Sequence, residues 1–380
     1  MKVGLTYNIR NQGAGKRQIT NYDLRITNLK STIENRQSKI EDGQESGKDL
    51  PPDFFAEWDD EDTIEAVRTA LAGRHNIVMI EADEYAYEKL KSFRPQIVFN
   101  IAEGLWGQSR ESQIPAMLDM LRIPYTGSGP LSLGICLDKA RAKEILMHHG
   151  ILTPKFTIYD LRFTNLKTYN RQSKIENLKS LSFPLIVKPL YEGSSKGVRN
   201  NSVVNNTAEL KERAGWVIAE YKQPAIVEEF LEGREFTVAM IGNGNDVKAL
   251  PIVEINYSSL PSGVNPIYSY EAKWIWDTPD NPLEIFKCPA DIGNKLKKDI
   301  ETVCKTAFNI LDIKDWCRID IRLDAEDNPH ILELNPLPGI LPDPKSNSCF
   351  PKAARAAGMD YDKLINTVLN TACKRHGITI

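Results

Sequence analysis

The chain has 380 residues and a formal net charge of −3, with 41% hydrophobic and 26% charged residues. Its length predicts two or three domains of about 100–200 residues each, and its near-neutral charge gives no basis for nucleic acid or an anionic membrane as the main partner. No run approaches ~18 uninterrupted apolar residues and the opening "MKVGLTYNIR" has no apolar leader, so a membrane span is not expected and cytoplasm is the default compartment.

The opening residues predict a first β-strand. From about Asn11 to Lys48 the chain is polar and without hydrophobic period, and it contains "NLKSTIENRQSKIE" at 28–41. A near copy, "NRQSKIENLKSLSF", returns at 170–183, and each is a tandem pair of one unit, roughly N-x-x-S-x-I-E. A solenoid would need about three stacked repeats, and a coiled coil would need two apolar positions per heptad. Isolated pairs with a lone isoleucine per unit supply neither, so both stretches are expected to be loop insertions, tolerated because lengthening a surface loop costs little.

"EDTIEAVRTALAG" predicts a helix closed by Gly73, "NIVMIEA" and "PQIVFNIAEG" predict buried parallel strands, and "ESQIPAMLDMLR" predicts another helix. This βαβ rhythm to about Tyr125 indicates an open α/β unit. A helix is expected from about Leu131, ending at His148-His149-Gly150, followed after the second repeat by the strand "FPLIVKP" and the loop "LYEGSSKG". From "PAIVEEFLEG" onward strands alternate: "REFTVAMIGNGNDVKALPIVEI" predicts a hairpin turning on Gly-Asn-Gly-Asn, and "CRIDIRLDAEDNPHILELNPLPG" predicts a second. "FPKAARAAG" and "DYDKLINTVLNTACKRHG" are expected to close the chain as helices. The six cysteines contain no CxxC pair and the five histidines no HExxH, so reduced thiols are expected and a structural zinc site is not.

The last hairpin carries the strongest chemical pattern. Along "CRIDIRLD", Arg318, Asp320, Arg322 and Asp324 alternate with apolar residues and so share one face; Glu333 and Asn335 share a face in the return strand. With Ala325–Asn328 as a four-residue loop, Asp320 stands opposite Glu333 and Arg318 opposite Asn335. Two carboxylates across a ladder repel. Either the two arginines balance a solvated face, or a divalent cation such as Mg²⁺ sits between the acids. Lys188 ends a buried strand and is followed by a Gly/Ser loop able to aim N–H groups at phosphate, although no Walker A sequence occurs. That loop alone is compatible with a plain hairpin turn; together with the carboxylate hairpin it points to a phosphate-plus-magnesium site. Around Phe230-Leu231, Glu228, Glu229 and Glu235 suit either a solvated strand end or a nucleotide pocket.

In this order, "YTGSG…LDK", "FPLIVKPLYEGSSKG", "VEEFLEGREFTV", "YEAKW", "RIDIRLD…ILELNPLPG" and "FPKAARAAGM" resemble the ATP-grasp superfamily, specifically its D-alanine–D-alanine ligase branch, over nearly the whole chain apart from the repeat-bearing stretches. The resemblance implies a three-domain α/β and α+β architecture: an N-terminal open α/β domain over 1–125 with an insertion near 11–48, a central small α+β lid domain over 126–223 with an insertion near 160–181, and a C-terminal α+β domain over 224–380 with an antiparallel sheet. It implies an ATP-dependent carboxylate–amine ligase working through an acyl phosphate, here for the D-Ala-D-Ala dipeptide of peptidoglycan, and a possible homodimer.

The resemblance also implies roles. Lys139, Lys188, Glu192, Gly193, Ser194 and Ser195 would contact ATP phosphates. Glu228, Glu229, Leu231 and Glu235 would line the adenine–ribose pocket, and Lys273 would approach the γ-phosphate. Asp320, Glu333 and Asn335 would hold two Mg²⁺ ions. Arg318 and the N–H of Gly339 would stabilise the reacting carboxylate. Substrate contacts would come from Glu57, Glu103, Ser348 and Cys349, and the Gly/Ser loop with segment 257–272 would form a lid. Two positions depart from the ligases resembled: Trp274 replaces a tyrosine after "YEAK", and Glu103 replaces the histidine of their "HG". These departures keep open an amide or peptide ligase with other substrates; a nucleotide-binding module without turnover is the third reading.

Overall fold

A computed structural model describes residues 1–10, 51, 53, 55–104, 106–160, 181–277 and 283–379. The expected insertions near 11–48 and 160–181, apart from their edges, and the side chain of Trp274 lie outside what is described. Among the described residues the strands form three sheets.

The first sheet holds β1 (Lys2–Tyr7), β2 (Asn76–Glu81) and β3 (Ile97–Asn100) in the order β2-β1-β3, all parallel. Its helices are α1 (Glu61–Ala72), α2 (Ala86–Phe93) and α3 (Gln113–Leu121). Asp60 starts α1 by accepting the Thr63 N–H at 2.7 Å. Val3, Leu5 and Phe99 pack against Ile64, Val67 and Leu71 of α1, while Ile80 and Val98 pack against Leu90 and Leu118 on the other face. Burial on both faces explains the continuous apolar runs of these strands.

The linking helices α4 (Pro130–Leu137) and α5 (Lys139–His148) begin at Pro130 after Gly129 and at the Asp138 cap. Next come β4 (Phe156–Tyr159), β5 (Leu185–Pro189), β6 (Val203–Val204), α6 (Thr207–Tyr221) and β7 (Ala225–Glu229). These strands form an antiparallel sheet in the order β4-β7-β5-β6. The sequence reading placed 225–229 in the third segment. The structure puts it inside the second sheet, bonded on both sides, because Ala225, Ile226 and Val227 are buried there. Strand alternation divides the sheet: Leu185, Val187, Ala225 and Val227 pack on α6, which leaves Ile186, Lys188, Ile226 and Glu228 on the opposite face.

The third sheet contains β8 (Glu235–Ile241), β9 (Lys248–Ala249), β10 (Val253–Ile255), β11 (Phe286–Lys287), β12 (Trp316–Leu323) and β13 (Pro329–Asn335). Its main path is β11-β10-β8-β12-β13, with β9 on β8, and each pairing is antiparallel. The helices are α7 (Asn294–Ile310), α8 (Cys349–Ala356) and α9 (Tyr361–Arg375). One face packs Phe236, Val238, Ile319 and Ile321 against α7, and the other joins Trp316 and Ala239 to Phe350, Leu364 and Val368 and on to the first sheet. Fully buried Asp315 ties the parts together, accepting from the Gly127 N–H at 2.8 Å and from Arg375 Nη2 at 2.7 Å.

No helix among the described residues is long and apolar enough to cross a membrane. All six cysteines are free thiols.

Candidate active site

A cavity of about 510 Å³ opens between the second and third sheets and reaches the C-terminal end of the first. Every site residue expected from the sequence lines it, from Glu57 and Glu103 at one end to Leu231 and Glu235 at the other. Proximity is common to them all; their bonding differs.

The hairpin β12–β13 has the expected pairing where it matters: Arg318 faces Asn335 and Asp320 faces Glu333. Beyond Asp320 the register slips, so that Ile321 pairs with Ile331 and Leu323 with Pro329. The turn is thus one residue longer than the four-residue loop expected. Asp324 causes this by accepting the N–H groups of Glu326 and Asn328 at 3.0 and 2.8 Å, which draws it out of the strand. Leu332 is the extra residue of the resulting bulge.

Arg318 bridges the two acids, with Nη2 at 3.0 Å from Asp320 Oδ2 and 3.7 Å from Glu333 Oε1. Asn335 Nδ2 reaches the same oxygens at 3.3 and 3.4 Å, and Lys139 Nζ lies 3.7 Å from Glu333 Oε2. Burial pushes Asp320 up against the pull of Arg318, whereas the charges of Lys139 and Arg318 hold Glu333 down at about 2 despite its burial. Among the described residues no cluster of three or more His, Cys, Asp and Glu side chains could enclose a metal. Asp320 and Glu333 are instead two cavity-lining carboxylates that become an all-oxygen donor set once the Asn335 amide turns its oxygen toward them, which fits Mg²⁺ and the way it retains water and phosphate ligands.

Across the cavity, Lys188 does not stand alone. Glu228, on the same face of the adjacent strand, places Oε2 at 2.5 Å from Lys188 Nζ and Oε1 at 3.1 Å from Lys143 Nζ. Its side chain is 1% exposed, against 2% for Lys143 and 13% for Lys188. The carboxylate expected in the adenine–ribose pocket is therefore occupied by lysines. Burial holds Lys143 down at about 8 while the Glu228 charge pulls the other way. Lys143 escaped the sequence reading, although it lies one helical turn after Lys139 on α5.

Glu235 is similarly engaged: Arg322 Nη1 lies 2.9 Å from its Oε2, and the Arg322 Cζ sits 4.6 Å from the Phe230 ring centroid. Glu229 lies 3.7 Å from Lys155. With Leu231 beside them, Ile186, Ile267, Val198 and Phe230 line a slot suited to a flat ring, backed by Val203.

The Gly/Ser loop runs through left-handed backbone at Ser194 (φ 49°) and Ser195 (φ 60°). The Ser195 hydroxyl donates to the Tyr268 carbonyl at 2.8 Å and the Tyr270 N–H to the Val198 carbonyl at 2.7 Å, so segment 257–272 is joined to the loop. Lys139 donates to the Glu192 carbonyl. Glu192 itself pairs with Lys196 and with Arg110 at 3.4 Å, so it does not offer a free acid to a nucleotide.

Glu57 closes this loop from the first domain. Its carboxylate accepts Arg110 Nη2 at 2.8 and 2.7 Å, Lys196 Nζ at 3.3 Å and the Gly193 N–H at 2.7 Å. A Cβ on Gly193 would lie 2.8 Å from Glu57 Oε1, so a larger residue there would push the Glu57 carboxylate away from the loop. These partners lower Glu57 to about 2 against the upward push of burial. The expected substrate contact is thus saturated by protein groups. Arg110 and Lys196 were missed because their partner lies far away in sequence.

At the reaction end, burial first and the Arg318 charge second lower Lys273 to about 8. The Ser348 hydroxyl donates to the Gly339 carbonyl at 3.1 Å, and burial raises the neighbouring Cys349 thiol to about 12, so it stays protonated at neutral pH.

A family model described as the D-ala D-ala ligase C-terminus matches residues 145–370. An uncharacterized protein, y4sG, of Sinorhizobium fredii is 33% identical over 310 residues, covering 80% of this chain and 84% of that protein. A D-alanine–D-alanine ligase of Bordetella petrii is 34% identical over 280 residues, covering 73% and 77%. The solved D-alanine–D-alanine ligase of Bacillus anthracis complexed with ATP has a TM-score of 0.65 at 21% identity, with 99% of each chain covered, a likeness of fold.

Proposed function

The chain belongs to the D-alanine–D-alanine ligase family, and on that premise we propose that it is an ATP-dependent carboxylate–amine ligase joining two D-amino acids through an acyl phosphate. The observation that carries this reading is the gathering of Arg318, Asp320, Glu333 and Asn335 on one hairpin face, with Lys139 and Lys188 lining the same cavity.

The first carboxylate attacks the γ-phosphorus of ATP, ADP leaves, and an acyl phosphate forms. The amine of the second substrate then attacks the acyl carbon, and the tetrahedral species collapses with loss of phosphate and a proton. Such transfers depend on positioning and charge neutralisation. Lys139, Lys188 and Lys273 bring positive charge to the phosphates, and the apolar slot at Phe230 receives the base. Mg²⁺, held by Asp320, Glu333 and Asn335, would neutralise phosphate charge and orient it. Arg318 and the Gly339 N–H serve the oxyanion; losing one such donor typically costs ~2.7–4 kcal/mol in the barrier. Segment 257–272 and the Gly/Ser loop, joined at Ser195, exclude water that would hydrolyse the acyl phosphate.

The test is ADP and phosphate release from ATP, Mg²⁺ and D-alanine. Turnover dependent on all three is expected, and Asp320→Asn with Glu333→Gln should abolish it. No release with any D-amino acid would overturn the dipeptide reading, and release with another carboxylate–amine pair would establish the alternative ligase.

A further inference from the structure

A second cavity, of about 530 Å³, lies where the Gly/Ser loop ends, against β6 and α6, and shares no lining residue with the first. Arg199, Arg213 and Trp216 line it. The Arg213 guanidinium carbon sits 4.1 Å from the Trp216 ring centroid and that of Arg199 sits 5.2 Å from the same ring. Two cations therefore share one indole, and no described carboxylate forms an ion pair with either. Arg213 is only 4% exposed, and its Nε, like that of Arg199, is buried without a hydrogen-bond partner among the described residues. Three glutamates line the cavity too. Glu209 is spent on the Asn205 N–H and on Asn206 Nδ2 at 2.8 and 2.7 Å, and Glu212 and Glu220 lie further along α6 and pair with neither arginine. Burial first and the Arg199 charge second lower Arg213 to about 10, against a weaker pull from Tyr221, Glu271 and Asp53. A buried cation without a counter-ion is costly, and stacking on an indole offsets only part of that cost.

We propose that Arg199 and Arg213 form a binding site for a small oxyanion, a phosphate or a carboxylate, held beside Trp216 and separate from the active site. The planar fork of a guanidinium matches either anion, and one anion between the two arginines removes their mutual repulsion. The site is wired to the Gly/Ser loop. Arg213 Nη2 donates to the Gly197 carbonyl at 2.5 Å, while the Gly197 N–H donates to Asp53 Oδ2 at 2.9 Å. Gly197 (φ 67°) cannot shift easily, because even a Cβ there would lie 2.4 Å from Pro189 Cγ. An oxyanion that fixes Arg213 therefore fixes the end of a loop whose Ser195 and Val198 line the active-site cavity. The site does not depend on the ligase reading.

The test uses the full chain with Mg²⁺ and a non-hydrolysable ATP analogue, titrated with inorganic phosphate and separately with acetate, at ionic strength held constant with chloride. Calorimetry and tryptophan fluorescence read the binding. One saturable site is expected for at least one anion, and the tighter of the two names the source. Arg199→Gln and Arg213→Gln should each weaken it by about tenfold or more, the loss of one charge-assisted contact. Trp216→Phe should remove the fluorescence change and keep the affinity within about threefold. Bound anion should slow proteolysis at 190–198 in wild type but not in Arg199→Gln. Arg199→Gln keeps the Arg213–Gly197 bond and should melt like wild type, so it decides the matter if Arg213→Gln fails to fold. Equal titration of wild type and Arg199→Gln would overturn the proposal, as would the absence of saturation by either anion above the chloride baseline.

Discussion

Replacing Glu228 by glutamine removes the one carboxylate between two buried lysines. The pair distances of 2.5 and 3.1 Å and the 1–2% exposure of Glu228 and Lys143 make this an interior triad rather than a surface bridge. Breaking a buried pair from one side costs about 3–5 kcal/mol. Lys143, already held at about 8, can lose its proton at neutral pH once Glu228 is gone, which favours the lower end. A loss of about 3 kcal/mol would lower the melting temperature by roughly 6–12 °C. Lys188 would also lose its anchor, and ATP affinity should fall about tenfold, the worth of one charge-assisted contact. Glu228 is lowered from its ordinary 4.5, so its stabilisation is present above that value and fades as pH falls through the folded pKa. The gap between wild type and Glu228→Gln should therefore be full at neutral pH and close in acid. Lys143→Met is the control: it removes one of the two cations on Glu228 and the bond to Thr153 Oγ1 but leaves the Lys188–Glu228 pair, so it should leave ATP affinity near that of wild type even where it lowers the melting temperature. Scanning calorimetry and ATP titration read both variants. Equal melting and equal ATP binding in Glu228→Gln would refute the triad as the support of Lys188.

Lys273 is depressed to about 8, so the charge it carries toward phosphate is lost as pH rises through that value. The kcat/KM profile should fall on that limb, and Lys273→Arg should remove the limb; an unchanged profile in the arginine variant would contradict the assignment. Glu57→Gln releases Arg110, Lys196 and the Gly193 N–H together. The loosened loop should admit water, so that ADP forms in excess of dipeptide and proteolysis at 190–198 accelerates. Unchanged coupling and unchanged cleavage would show that Glu57 does not hold the loop.

The shared face of Arg318 and Asp320 was legible from strand alternation, and the pairing of Asp320 with Glu333 came out as expected because the bulge at Leu332 offsets the extra residue of the turn. So was the helix end at Gly150, but the single helix expected from about Leu131 is broken at Asp138, whose side chain leaves the ladder to cap the second helix. What escaped was set by distant partners. The strand 225–229 takes its place from β4 and β5 on either side, not from the "VEEFLEG" that follows it into the third sheet. The carboxylates of Glu57, Glu228 and Glu235 have positions that sequence order suggested, but their charges are claimed by Arg110, Lys143 and Arg322, which no short spacing reveals. The register slip at Leu332 followed from Asp324 folding back on its own turn, a choice between ladder and turn bonding that composition leaves undecided.

The central claim is a peptide bond made at the expense of ATP. Its most direct test is mass-spectrometric detection of D-alanyl-D-alanine formed by the purified full chain with ATP, Mg²⁺ and D-alanine, counted against ADP in the same sample. The account predicts one dipeptide per ADP, and none from Arg318→Ala. ATP bound or hydrolysed with no amide product from any amino acid or carboxylate offered would contradict it.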